Sequence, residues 1–164
     1  MKLALAIRNR QRARKVDLRL LRRILKTLLS KSLQIENAEL GIHLVAAPEM
    51  ARVNQTYLDH EGSTDVITFD HSFGVPPSGG PGRVNAELQT LHGELFICLD
   101  DAIAQARQFK TTWQSELVRY LIHGVLHLLG HDDHAAAARR KMKREENRLL
   151  RQLAKEFPLA RLAR

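Results

Sequence analysis

The stretch HGVLHLLGHDDH, residues 123–134, sets four histidines and two aspartates around Gly130. His123 and His127 stand four positions apart in an apolar run. On a helix four residues turn the chain by about 400°, so both imidazoles leave one face and can chelate a single cation. Gly130 then lets the chain reverse, so that a residue just beyond it returns to the same ion. The pattern is H-x3-H-x2-G-x2-D, ending at Asp133. Zinc accepts imidazole nitrogen and carboxylate oxygen, and three protein ligands leave one position open for water. Water held in that way ionises near neutral pH and becomes a hydrolytic nucleophile.

Two core histidines bonded to backbone carbonyls would share this spacing. Here, however, both sit on a helix without a polar face, where an unpaired imidazole is costly, and further ligands follow directly. Zinc proteases of the HExxH type carry a glutamate right after the first histidine as general base. This chain has Gly124 there, which disfavours a peptidase.

The elements that must position these residues can be read from pattern. Residues 112–129 carry apolar side chains almost all round, including Leu117, Val118, Leu121, Ile122, Val125, Leu126, Leu128 and Leu129, which predicts a helix buried at the centre of its domain. Thr111 with Gln114 has capping-box spacing for its start, and Gly130 is placed to end it. Strands are expected at 3–9, 39–46, 64–70 and 93–99, the last two rich in β-branched and aromatic residues. Helices are expected at 16–33, from Pro48 with Met50, Val53 and Tyr57 inward, at 100–110, and at 135–157 with Met142, Leu149, Leu150, Leu153 and Phe157 inward. This mixture makes the fold α+β. The segment FGVPPSGGPGRVNAE, residues 73–87, cannot sustain a helix or central strand and reads as a mobile surface loop inside one domain.

Length and composition agree with one soluble globular domain: 164 residues, 44% hydrophobic and 27% charged. The start of the chain has too short an apolar run for a signal peptide, and no stretch approaches the length of a membrane helix. Cys98 is alone and reads as a small core residue. A cytoplasmic address is the expectation. The net charge of +8 is concentrated near the ends, Arg8 to Lys26 and Arg139 to Arg151. Such fields attract polyanions, nucleic acid above all.

The motif HGVLHLLGHDDH resembles the signature HGxLHLxGxDH of the YbeY family of bacterial endoribonucleases and rRNA maturation factors. VNQTYLDHEGSTDVITF is similar to that family's segment ending in TDVLSF, and GELFICLDDAIAQA to its GDIxIS strand and following helix. The likeness spans roughly residues 53–134, in order. It implies a single domain over 1–164, with a mixed, mostly parallel four-stranded sheet packed by helices around the central helix that carries the histidines. It also implies one zinc ion per chain and single-strand-specific RNA cleavage in the cytoplasm. In the family this serves small-subunit rRNA maturation and ribosome quality control. RNA, the small ribosomal subunit and ribosome-associated proteins are the implied partners, with no membrane.

The family's metal is held by three histidines. The first two carry over onto His123, to which the catalytic role is also assigned, and His127. The third falls at Asp133, which keeps the register, while His134 keeps the residue type. Asp133 is the expected ligand and His134 the alternative; His131 would need a much tighter reversal. A second departure is Leu58, where the family has an arginine that contacts phosphate. Arg52 and Arg83 are candidate replacements. Asp65, with Thr64, is expected near the cleft, either supporting a metal ligand or capping the turn at Gly62-Ser63. Glu94 could serve the site but is more simply an exposed strand carboxylate. Asp132 is expected to shape its turn, and Trp113 to pack. His43, His60, His71 and His92 read as surface or packing residues. Two rival functions are a non-catalytic RNA-binding assembly factor with a structural zinc, and a small metallohydrolase acting on peptides.

Overall fold

A computed structural model of the chain describes residues 1–72 and 90–164, so the expected loop at 73–87 lies outside the described residues. The elements are β1 (Lys2–Asn9), α1 (Leu18–Thr27) with a π turn at Leu28–Ser32, β2 (Asn37–Val45), α2 (Ala47–Leu58), β3 (Val66–Asp70), β4 (Thr90–Cys98), α3 (Leu99–Phe109), α4 (Trp113–Leu128) and α5 (Ala136–Glu156). A short 3-10 turn, Leu159–Leu162, follows α5.

The sheet runs β1-β2-β4-β3, with β1, β2 and β4 parallel and β3 antiparallel to β4. The mixed, mostly parallel sheet expected from the resemblance is present. Leu91, Leu95 and Ile97 of β4 are buried in the larger core with Leu40, Ile42 and Leu44 of β2 and the apolar faces of α1, α4 and α5. A smaller cluster of Val45, Met50, Ile67 and Cys98 lies apart from it, joined by Val53, Phe69 and Phe96.

Helix α4 is the centre of this arrangement. Ten of its residues are buried, which is why its sequence is apolar all round. It packs against α3, α5, β3 and β4. Gly124 makes the closest approach: a Cβ there would stand 2.7 Å from Leu95 Cδ2, 3.1 Å from Leu95 Cδ1 and 3.2 Å from Val66 Cγ1. Only glycine lets the helix seat this tightly on β3 and β4. Gly124→Ala gains at most about 1 kcal/mol of helix propensity, while overpacking costs typically about 1–3 kcal/mol. Leu95 is fully buried and Val66 is stiff at χ1, so the steric cost wins. The variant is expected to unfold at lower denaturant than wild type; an equal or higher midpoint contradicts this packing.

Several boundaries differ from pattern. Residues 64 and 65 precede β3 because Asp65 Oδ1 accepts from Val66 N at 2.8 Å and from Thr64 Oγ1 at 3.2 Å, which caps the strand entry. The start of α4 is capped by Thr112, whose hydroxyl accepts from Ser115 N at 3.2 Å. Thr111 instead donates its hydroxyl to buried Glu116 at 2.8 Å, so the Thr111–Gln114 capping box does not form. Tyr57 is not inward: it is 67% exposed, at the end of a helix whose buried residues are only Met50 and Asn54. Asn54 turns its amide to Gly62 O at 3.0 Å, and α2 stops at Asp59 in the left-handed region (φ 53°).

Cys98 is fully buried, and burial pushes its thiol up to about 11. It is an unreactive core residue.

Candidate metal centre

His123 on α4 lines a cleft of about 440 Å³ with Asp65, Asp133, Arg139, Lys143 and Glu146, and His127 stands beside it one turn further along the helix. The Nε2 atoms of the two histidines face each other at 2.9 Å, with the rings nearly perpendicular at 78°. Past α4 the chain reverses at Gly130, whose φ of +92° favours glycine. Gly130 N donates to His127 O at 2.9 Å and His131 N to Leu126 O at 3.0 Å, which fixes the turn. The reversal brings Asp133 Oδ2 to 3.7 Å from His123 Nε2 and 3.6 Å from His127 Nε2. These three side chains form one cluster of candidate ligands.

Of the alternative residues of the turn, His134 lies with Asp132 and Asp133 in a second, more exposed cluster of candidate ligands that leaves out both helix histidines. The His134 side chain is 92% exposed and neighbours Asp132 Oδ1 at 3.7 Å. Asp132 Oδ1 accepts from His134 N at 2.9 Å, so its role is to shape the turn. His131 contributes its carbonyl, 3.1 Å from His127 Nδ1, and not its ring.

The outer nitrogens of both imidazoles are therefore engaged. His123 Nδ1 lies 2.7 Å from Glu146 Oε2 on α5. With His123 donating there and His127 donating to the His131 carbonyl, both Nε2 atoms present lone pairs to the cluster. Glu146 is 6% exposed and its other oxygen lies 3.7 Å from Arg119. Arg119 is in turn fixed by donating to Asn147 Oδ1 at 2.8 Å. Burial opposes charge on His123, but the Glu146 hydrogen bond, with the charges of Glu146, Asp65 and Asp133, outweighs it and raises the pKa above the ordinary imidazole value. Burial lowers that of His127, and the charge of His123 lowers it further. An Nε2 pair this close holds one shared proton at most, or a cation.

Glu146 was absent from the residues expected at the site, although its signal is visible. It occupies an inward position of α5, in step with Met142, Leu149 and Leu150. A carboxylate in an apolar stripe needs a partner.

Asp65 lines the same cleft and caps the entry to β3; among the described residues its side chain bonds neither a candidate ligand nor the turn at Gly62-Ser63. Glu94 does not reach the cleft. Neighbouring Gly93 faces α4, where a Cβ would meet Leu128, so Glu94 points to the opposite side of the sheet. There it pairs with His43 Nε2 at 2.8 Å and His71 Nε2 at 3.0 Å, and His43 stacks on Phe96. Hydrogen bonds from His71, then His43, hold the Glu94 carboxyl below its ordinary 4.5 against burial. A depressed carboxylate contributes stability that is present above the unfolded value and is lost as pH falls through the folded one. The thermal advantage of wild type over Glu94→Gln should thus shrink from about pH 6 to about pH 3; a constant gap contradicts the pairing.

Leu58 is 45% exposed at the position of the family's arginine. Arg52 is absent from the lining of the cleft, and Arg83 lies outside the described residues. The cations that do line it are Arg119, Arg139 and Lys143. No helix among the described residues is long and apolar enough to cross a membrane.

A family profile described as Endoribonuclease YbeY matches residues 6–154. An endoribonuclease YbeY of Salinibacter ruber is 37% identical over 68% of this chain and 68% of its own length. One of Chlorobium luteolum is 42% identical over 62% of this chain, which spans 64% of that relative. The Syntrophotalea carbinolica endoribonuclease YbeY is 32% identical over 92% of this chain and 96% of its own length. The solution structure of TM1509 from Thermotoga maritima shares the fold with a TM-score of 0.59 and 23% identity, covering 93% of this chain and 90% of that one. The chain belongs to the YbeY endoribonuclease family.

Proposed function

We propose that this chain is a zinc-dependent, single-strand-specific endoribonuclease of small-subunit rRNA maturation and ribosome quality control, acting in the cytoplasm as one domain over residues 1–164. One zinc ion would be held by His123, His127 and Asp133. The observation that carries the reading is the spacing of their donor atoms, 2.9, 3.6 and 3.7 Å. A tetrahedral zinc with ligands at about 2.0–2.2 Å separates its donors by about 3.4 Å, so no distance needs to change by more than about half an ångström. The donor set, two imidazoles and a carboxylate with a coordination position left free, suits a hydrolytic site.

Bound zinc would act as a Lewis acid on water or on a phosphoryl oxygen. The chain's own residues supply the rest. Glu146 and the His131 carbonyl orient the two imidazoles. Arg139 and Lys143 at the cleft draw in the RNA backbone. Gly124 cannot be exchanged for a helix-borne carboxylate without a clash. Of the acids lining the cleft, Glu116 and Glu146 are engaged by Thr111 and His123 and Asp133 would hold the metal, so Asp65 would be the group to accept a proton. The close packing of Gly124 likewise weighs against the peptide-hydrolysing alternative.

Exposed Leu58 favours one rival, an RNA-binding assembly factor whose zinc is structural. Incubation with a single-stranded RNA separates the two. Cleavage that is lost on chelation and restored by zinc supports the nuclease; binding without cleavage under any divalent metal supports the rival.

A further inference from the structure

Helix α5 carries a second hollow, of about 420 Å³, beside the metal cleft. Lys141, Arg144, Arg148 and Arg151 line it, with His131 from the turn after α4. Among the described residues, Glu145 is the only carboxylate of the lining. It is committed to Arg148, whose guanidinium it binds through both oxygens. Lys141, Arg144 and Arg151 have no ion-pair or hydrogen-bond partner among the described residues. Cations three and four apart on one helix face repel, and each such pair costs a few tenths of a kcal/mol. An anion seated among them would remove that cost.

The hollow adjoins the candidate metal centre. Lys143 lines the cleft and Arg144 the hollow, while the turn sends Asp133 into the one and His131 into the other. From Lys143 to Arg151 the helix advances about 12 Å at about 1.5 Å per residue. That length spans more than one phosphate of an extended single strand. The cleft itself has lost the arginine that the family's pattern would place at Leu58.

Resting on the nuclease reading above, we infer that the Lys141–Arg144–Arg151 hollow is a phosphodiester subsite that holds the RNA backbone on one side of the cleavage site. It would bind backbone phosphates more than read bases, since its lining is mainly cationic and, among the described residues, holds no Phe, Tyr or Trp, His131 being its one ring. The backbone of a strand already engaged at the cleft reaches it at high local concentration, whereas free phosphate does not.

The test uses the full chain, a fluorescent single-stranded RNA oligonucleotide, and chelator to stop cleavage. The dissociation constant is measured across a range of salt for wild type, Arg144→Gln/Arg151→Gln and a control, Arg19→Gln/Lys26→Gln on α1. All four residues are exposed, so both doubles should fold. The α5 double should bind at least tenfold more weakly, with its salt slope smaller by about 1.4, about 0.7 for each lost phosphate contact. The α1 double should stay within about twofold of wild type, and inorganic phosphate at equal phosphate concentration should not compete. Equal weakening by both doubles would mean that net charge alone acts, and an α5 double that binds like wild type would mean that RNA passes elsewhere; either overturns the subsite. Wild type that takes up zinc but binds no RNA overturns the nuclease reading, and the subsite with it.

Discussion

His123→Ala is expected to reduce RNA cleavage to the uncatalysed background and to leave the purified protein with less than one zinc per chain. The side chain has two roles at once. Its Nε2 faces His127 and Asp133, and its Nδ1 takes the carboxylate of Glu146. Removing it deletes one of three metal donors and leaves Glu146, 6% exposed, with only Arg119 at 3.7 Å. Breaking a buried charged pair by removing one partner costs up to about 3–5 kcal/mol, and the nearby guanidinium should keep the loss below that. The variant should therefore fold, as seen by its far-ultraviolet spectrum, while inactive at saturating zinc. Cleavage within tenfold of wild type would contradict the role given to His123.

Glu146→Gln should have a different signature. Glutamine keeps the size and can still accept from His123 Nδ1, but it removes the charge that orients the ring and raises its basicity. Changes of this kind behind a metal-binding histidine typically cost about 10–100-fold in metal affinity or activity. Zinc affinity, measured by competition with a chromophoric chelator, is expected to fall by that factor. Excess zinc should restore most cleavage, whereas it should not do so for His123→Ala. Unchanged affinity would reduce Glu146 to a packing residue of α5.

The comparison of pattern with structure is instructive at particular residues. The 3.6-residue period of α4, the His123–His127 spacing and the glycine exit were all visible because they are local: one helix and one turn contain them. The four strands were visible too, with ends displaced by one to three residues, at β3 because the Asp65 cap decides the boundary, while their mixed pairing came from the family resemblance and not from pattern. What pattern did not show was partnership across long separations. Glu146 meets His123 from 23 positions away, and Glu94 meets His43 from 51. Neither spacing carries a period. Tyr57 failed for another reason: helical phase suggested an inward ring, but α2 ends at Asp59 before its last turn reaches the core. The Asp133 carboxylate near both Nε2 atoms follows from the φ of Gly130, which residue type alone only permits.

Zinc per chain in the purified protein, compared among wild type, Asp133→Ala and His134→Ala, tests the central claim most directly. The geometry predicts one zinc in wild type and in His134→Ala, whose side chain is 92% exposed, with loss confined to Asp133→Ala. Loss in His134→Ala with retention in Asp133→Ala would contradict this assignment and restore a three-histidine site. Wild type free of zinc after purification with zinc supplied would contradict the metal centre itself.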